Sequence, residues 1–286
     1  VRKLELPASA MLYSRQLACA APCCGLMEQT ADAKGKRTMK QMHQRTLSWL
    51  LPAAVILLLL AACSGNKTNF TVQVSVSGTD GSTLYLAQRT LNGTVPVDSA
   101  VPDKSGIYTL KGKATMPDFY ILYREPKHYI NLIIKPGDDF RVKTSTSSFE
   151  VNYLVEGSRD SRLVQKMVTM QAKTLEKITE ISTEYENNLG KPGFDKVRVK
   201  IDSSYKRIVE EHKEFSKQLI RENPGSLASL MALYQQLGRD IPVFDYKTDL
   251  QYYELVDSNL SARYPGSEPV RDLNRKVTEL KEVILL

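Results

Sequence analysis

Few residues in this chain have the types and spacing that catalysis or metal binding requires. Its four cysteines are Cys19, Cys23, Cys24 and Cys63, and three of them precede residue 39. After Cys63 no thiol remains for a disulfide, a Cys-x-x-Cys redox pair or a thiolate metal site. His128 sits between Lys127 and Tyr129 at the start of an extended segment. His212 falls in the apolar stripe of a helical one, where a seam histidine with one hydrogen-bond partner is expected. Neither has a second histidine or thiolate at ligand spacing, so no metal and no cofactor are expected. Asp138-Asp139 after Pro136-Gly137 resembles a carboxylate pair, but neighbours in a strand point to opposite faces. The expected role is a turn whose short acids cap their own backbone. The chain contains no G-x-S-x-G elbow, no G-x-G-x-x-G and no Walker A run, so no catalytic residue is assigned and nucleotide binding has no support. Aromatic residues cluster at Phe119-Tyr120, Tyr123 and Tyr129, and again at Tyr246, Tyr252 and Tyr253. A sugar or peptide platform is one use for them, and packed cores are the commoner one.

Cys63 stands behind an export pattern. Lys40 and Arg45 precede an uncharged stretch from Thr46 to Ala62 that is rich in leucine, and Leu60-Ala61-Ala62 are the residues before Cys63. A basic start, an apolar middle and small residues at a cleavage point describe a secretory signal. Roughly 16 apolar residues interrupted by Ser48 and Pro52 are short of the ~20 that span a bilayer. The run Leu60-Ala61-Ala62-Cys63 resembles a lipobox, which implies recognition by signal peptidase II and lipid on Cys63. The expected organisation is an upstream extension over 1–38, a signal over 39–62 and a lipidated tether over 63–69. The membrane would then be a partner through the lipid. Ser64, not an acidic residue, follows Cys63, which favours the outer over the inner membrane of a cell envelope, facing the periplasm.

This division changes the charge argument. The whole chain is +7, but residues 1–62 hold eight basic and three acidic side chains, leaving 31 and 29 in the rest. A net charge of +2 on 224 residues gives no electrostatic footprint for nucleic acid. Without disulfides, stability there must come from an apolar core, which a chain of this length can build.

Two elements of different period must position whatever the protein uses. Phe70–Val76 alternates apolar and polar residues, as a half-buried strand does. Similar segments follow at 83–89, 94–101, 106–114, 119–124, 129–135, 139–144 and 149–155. Turn residues separate most of them, including Asn92-Gly93, Ser105-Gly106 and Pro136-Gly137. Eight short strands over 70–156 predict an antiparallel β-sandwich or open barrel. From Ser158 the period becomes helical. Leu163, Met167, Met170, Leu175, Ile178, Ile181 and Tyr185 form one stripe; Val197, Ile201, Tyr205, Ile208, His212, Phe215 and Leu219 form another. A Gly/Pro break at 187–193 predicts a long antiparallel helix hairpin. Asn223-Pro224 ends it, and Ser226 is placed to cap a short helix through Leu237. Two more helices are predicted over 245–263 and 268–285, making 158–286 a helical domain and the whole an α+β protein. The Lys/Glu-rich helix faces, including Glu210, Glu214, Lys213 and Lys217, are expected to be solvated.

Several motifs carry a resemblance. Gly106-x-Tyr108-x-Leu110-x-Gly112 and the run Ile133–Phe140 with Val142 resemble the DUF4369 domain. Asn223-Pro224-x-Ser226-x-Ala228-Ser229, Tyr264-Pro265-x-Ser267 and Leu273 with Leu280 look like the region that follows it. The resemblance implies a lipoprotein of Gram-negative bacteria whose domain precedes a thioredoxin-like module of the TlpA/ResA type. Relatives carry Cys-x-x-Cys in that module, and no position of this sequence receives that role. The expectation is a non-enzymatic, membrane-anchored accessory region of a thiol–disulfide oxidoreductase system, with a protein partner met through the helical region. The alternatives are an oxidoreductase truncated before its catalytic domain and a sandwich that binds sugar or peptide.

Overall fold

The computed structural model describes residues 68–238 and 241–284, within one compact unit spanning Ser64–Leu286. Leu60, Ala61, Ala62 and Cys63, with the expected extension, signal and most of the tether, lie outside the described residues.

The eight expected strands are β1 (Asn69–Ser77), β2 (Leu84–Thr90), β3 (Gly93–Ala100), β4 (Ile107–Lys113), β5 (Asp118–Glu125), β6 (His128–Ile134), β7 (Asp139–Ser145) and β8 (Leu154–Glu156). They form two four-stranded sheets, one ordered β4-β1-β7-β8 and the other β3-β2-β5-β6. Alternation selects the inner faces. Phe70, Val72, Val74 and Val76 of β1 meet Leu84, Leu86, Tyr120, Leu122, Ile130 and Leu132 of the second sheet in one core. Five strand pairs are antiparallel, but β1 and β7 are parallel. A tight hairpin imposes antiparallel pairing, whereas the chain passes through the whole second sheet between β1 and β7.

Both open sides of the sandwich are stitched by side chains. On the β3–β4 side the Asp98 carboxylate accepts from the Lys111 N–H at 2.7 Å. Gly112 lies there too; a Cβ on it would sit 2.4 Å from the Phe70 ring and 2.8 Å from Val97 Cγ1. Close packing therefore explains that glycine, while Gly106 is needed for its φ of 75°. On the β6–β8 side the stitches come from the following helix. Ser161 Oγ accepts from the Ile133 N–H at 3.0 Å and donates to the Ile133 carbonyl at 2.8 Å, and Gln165 Oε1 accepts from the Val155 N–H at 3.0 Å. One hydroxyl thus satisfies both free-edge groups of a buried strand residue.

The last predicted strand is shorter than the pattern suggests. Thr146–Ser148 form a 3₁₀ turn, and pairing resumes only at Leu154. Phe149 and Tyr153 are apolar because they plug the core from a loop, anchored by Thr144 Oγ1 donating to the Phe149 carbonyl at 2.8 Å.

Five α-helices follow: α1 (Arg159–Asn188), α2 (Phe194–Glu222), α3 (Leu227–Leu233), α4 (Leu250–Arg263) and α5 (Glu268–Ile284). Ser158 caps α1, its side chain accepting from the Ser161 N–H, and Gly190 and Gly193 take positive φ between α1 and α2. Contacts Thr174–His212, Lys177–Glu211 and Glu184–Lys200 run in opposite directions along the two helices, so they form the expected antiparallel hairpin, each about 45 Å long. Ser226 caps α3, which stops at Leu233 and not at Leu237. The α4 helix begins five residues later than its pattern, because Asp245 Oδ1 accepts from the Lys247 and Thr248 N–H groups in a turn. The helical core of Leu219, Ile220, Leu230, Leu233, Phe244, Tyr253, Val256, Leu260 and Leu273 includes Val164 and Met167 of α1 and Ile133 of β6. Among the described residues, no helix is long and apolar enough to cross a membrane.

Candidate functional site

The polar residues flagged by type take up structural positions. His212 is fully buried, with Nδ1 3.0 Å from Thr174 Oγ1 and Nε2 3.3 Å from Gln235 Oε1. It has two partners where one was expected, and Thr174 Oγ1 in turn donates to the Met170 carbonyl at 2.9 Å. Burial holds its pKa below the usual imidazole value, against a smaller opposing effect of the Gln235 bond. His128 is exposed and lies 3.2 Å from Glu150. Asp138 closes the turn it was expected to close, accepting from the Lys135 N–H at 2.9 Å, and burial raises its pKa. Asp139 opens β7, opposite Thr71. Among the described residues, no group of three or more His, Cys, Asp or Glu side chains is arranged to hold a metal ion.

The solvated reading of the helix faces holds for Glu210 and Glu214, which reach Lys217 at 3.6 and 2.5 Å. Lys213 departs from it: its Nζ meets Asp249 Oδ2 at 2.6 Å, and Asp249 is buried beside α4. The Asn223–Ser229 motif is a joint. Arg159 donates to Asn223 Oδ1 at 2.8 Å, Ser226 donates to Asp160 at 2.6 Å, and Ser229 donates to the Asn223 carbonyl at 2.7 Å.

The aromatic residues divide. Tyr120 belongs to the sandwich core and Tyr252 and Tyr253 to the helical core. Phe119, Tyr123 and Tyr129 point the other way, onto the outer face of the second sheet, because they alternate with Tyr120, Leu122 and Ile130. Register sets that face in rows across three strands: Tyr85 opposite Tyr123 opposite Tyr129, then Ala87, Ile121 and Asn131, with Phe119 opposite Ile133 beyond. Tyr85 and Tyr123 stack, their ring centroids 5.5 Å apart at 22°. Arg89 lies over the Tyr129 ring at 5.7 Å and donates to Asn131 Oδ1 at 3.3 Å.

The helical region roofs only one end of this face. Ile133 and Phe119 pack into the helical core, whereas the tyrosine row stays partly open. Two hollows result, and Asn131 lines both. The larger, about 330 Å³, lies between Arg89, Leu91 and Phe119 of the sandwich and Leu230, Met231, Tyr234 and Pro269 of the helices. The second, about 250 Å³, lies between Tyr129 and Val151 and the α1 residues Val168, Gln171, Ala172 and Leu175. Leu91, Val151, Leu175 and Tyr234 in these hollows are all exposed, as is Tyr85 on the same sheet face, so the groove gathers large apolar side chains that water reaches. Burial first, then Tyr246 and Asp272, pushes the Tyr234 hydroxyl up to about 12, so it stays a neutral hydrogen-bonding group. A larger hollow, about 630 Å³, lies at the sandwich end between Arg124, His128 and the Thr146–Asn152 loop; most residues lining it are polar or charged, and Arg124 there is engaged by Asp80 and Ser82.

Sequence reasoning found three of these aromatics and missed Tyr85, Arg89 and Asn131. The alternation of Tyr85, Ala87 and Arg89 against Leu84 and Leu86 places them on one face. The sequence carries no local signal of which face later helices leave half-covered. Leu175, taken as a core position, faces the groove, and the buried stripe of α1 runs through Ser161, Val164, Met167 and Thr174.

No curated protein matches the chain, and no solved structure does. Residues 70–164 match a family described as a domain of unknown function, DUF4369. The match runs past β8 into α1, taking in Ser158, which caps the helix, Ser161, which fastens it to the sandwich edge, and Val164. The matched residues are the sandwich together with the first turns of α1.

Proposed function

We propose that this protein is a lipoprotein of the cell envelope, held by lipid on Cys63 and facing the periplasm, on the outer rather than the inner membrane. Its described region is a non-catalytic, partner-binding part of a thiol–disulfide oxidoreductase system. The observation that carries the binding role is the groove on the outer face of the second sheet, where Leu91, Val151, Leu175 and Tyr234 remain exposed between sandwich and helices, with exposed Tyr85 on the same sheet face. Apolar side chains gathered in a concave surface are what a partner covers. The anchor rests on Leu60-Ala61-Ala62-Cys63, and the oxidoreductase system rests on the resemblance of the domain and of the motifs after it.

Co-isolation from membranes of cells expressing the full chain tests both parts. Cys63→Ser is expected to leave the membrane fraction. Tyr123→Asp with Leu175→Asp is expected to lose a co-isolating protein that carries Cys-x-x-Cys, while Lys111→Glu on the other sheet retains it. A Cys63→Ser chain that stays membrane-bound contradicts the anchor. A groove variant that isolates the same proteins as the unaltered chain contradicts the binding role.

A further inference from the structure

The larger hollow of the groove has a cation at its rim that the fold holds in place without a counter-charge. Arg89 is positioned by the Tyr129 ring and by Asn131 Oδ1, neither of them charged. Among the described residues no carboxylate lies within 4.0 Å of it. The guanidinium has five N–H donors, and Asn131 takes one of them. Asp272 also lines the hollow, but it is engaged by Arg275 on its own helix. Behind Arg89 the surface is apolar, built from Leu91, Phe119, Leu230 and Met231. At about 330 Å³ the space is at the lower end of the range for small-molecule sites.

We propose that this hollow binds a small amphiphilic carboxylate, its anionic head on the free donors of Arg89 and its apolar body against Phe119, Leu230 and Met231. A guanidinium held by a ring and an amide is pre-organised to receive a carboxylate, and the two-donor geometry suits that group better than a neutral polar one. Sequence separation conceals the site: Arg89 is on β2, Phe119 on β5, Asn131 on β6 and Met231 on α3. The inference deepens the binding role proposed above by naming a ligand class for one part of the same groove.

Octanoate and octanol are the probes, titrated into the full chain carrying ¹³C-methyl methionine. The Met231 signal is assigned through Met231→Leu. The expected result is a saturable shift of the Met231 methyl with octanoate, and binding of octanol weaker by about tenfold or more, the scale of one charge-assisted hydrogen bond. Arg89→Gln, a change at an exposed residue, is expected to bring octanoate down to the octanol level and leave octanol unchanged. A Met231 signal that does not move, moves equally with both probes, or responds to octanoate as before in Arg89→Gln overturns the proposal. Failure here with the co-isolation result intact rejects the carboxylate and leaves the partner role; success here with co-isolation lost from no variant leaves a small-molecule site and rejects the partner role.

Discussion

The two outer faces of the sandwich start from the same alternation and end with opposite surfaces. On the first sheet Thr71, Gln73 and Ser75 of β1 lie beside Arg141 and Lys143 of β7. Arg141 donates to Gln73 at 3.0 Å, and Lys143 meets Glu156 at 2.9 Å. On the second sheet the outward positions are Tyr85, Ile121, Tyr123, Tyr129 and Ile133; Phe119 and Ile133 pack into the helical core, Ala87 and Ile121 in the middle row are buried, and the tyrosine row is left partly open. A sheet that faces water completes its pattern with polar residues. A sheet whose outer face carries tyrosines and isoleucines is a wall for something else, and here the helices cover only part of it. The difference separates a surface that only has to be soluble from one that has to be filled.

Substitutions on the two faces should differ accordingly. The largest effect is expected at Ile133, fully buried under the helices: Ile133→Ala should lower unfolding free energy by about 2–5 kcal/mol in denaturant titrations, while Gln73→Ala stays within about 0.5 kcal/mol. Equal effects would mean that the helical cover contributes nothing to the second sheet. Ser161→Ala strands both backbone groups of Ile133 and should cost on the order of 2 kcal/mol, with faster hydrogen exchange along β6 than along β1. Gly112→Ala, on the opposite side of the sandwich, should cost about 1–3 kcal/mol by forcing Phe70 aside, and should leave β6 exchange unchanged.

Acid should loosen the same side. The folded-state pKa of His212 is below its unfolded value, so the unfolded chain takes up the proton first as pH falls. The neutral histidine's contribution is complete above about pH 6.5 and is lost as pH drops from there toward the folded-state value. Exchange protection in α1 and α2 is expected to fall across that window, and His212→Gln should flatten the dependence; a profile unchanged by His212→Gln would show that other groups set it. Small effects are expected on the first sheet, where Lys143→Ala should cost less than about 1 kcal/mol, because its pair with Glu156 is solvated.

Much of this architecture can be read from the sequence. The strands follow from period-two alternation and their turns, and the hairpin follows from two stripes and a Gly/Pro break. The lapses have physical causes. Phe149 and Tyr153 read as strand residues because a loop that plugs a core needs the same side chains. Ser161, Thr174 and Ser216 were invisible in the helical stripes because a count of apolar residues does not register buried hydroxyls that bond to backbone or to His212. Adjacent Phe119 and Tyr120 read as one cluster, yet a strand sends one to the groove and the other to the core. Arg89 and Asn131 gave no local signal, since their pairing depends on strands that β3, β4 and β5 separate in sequence.

Photo-crosslinking from the two faces tests the central claim most directly. A photoreactive phenylalanine analogue placed at Tyr123 in one full-length variant and at Gln73 in another is irradiated in intact cells. The account predicts a discrete adduct from Tyr123, competed away in the Leu175→Asp background, and none from Gln73. Equal adducts from both positions, or adducts from Gln73 alone, would contradict it.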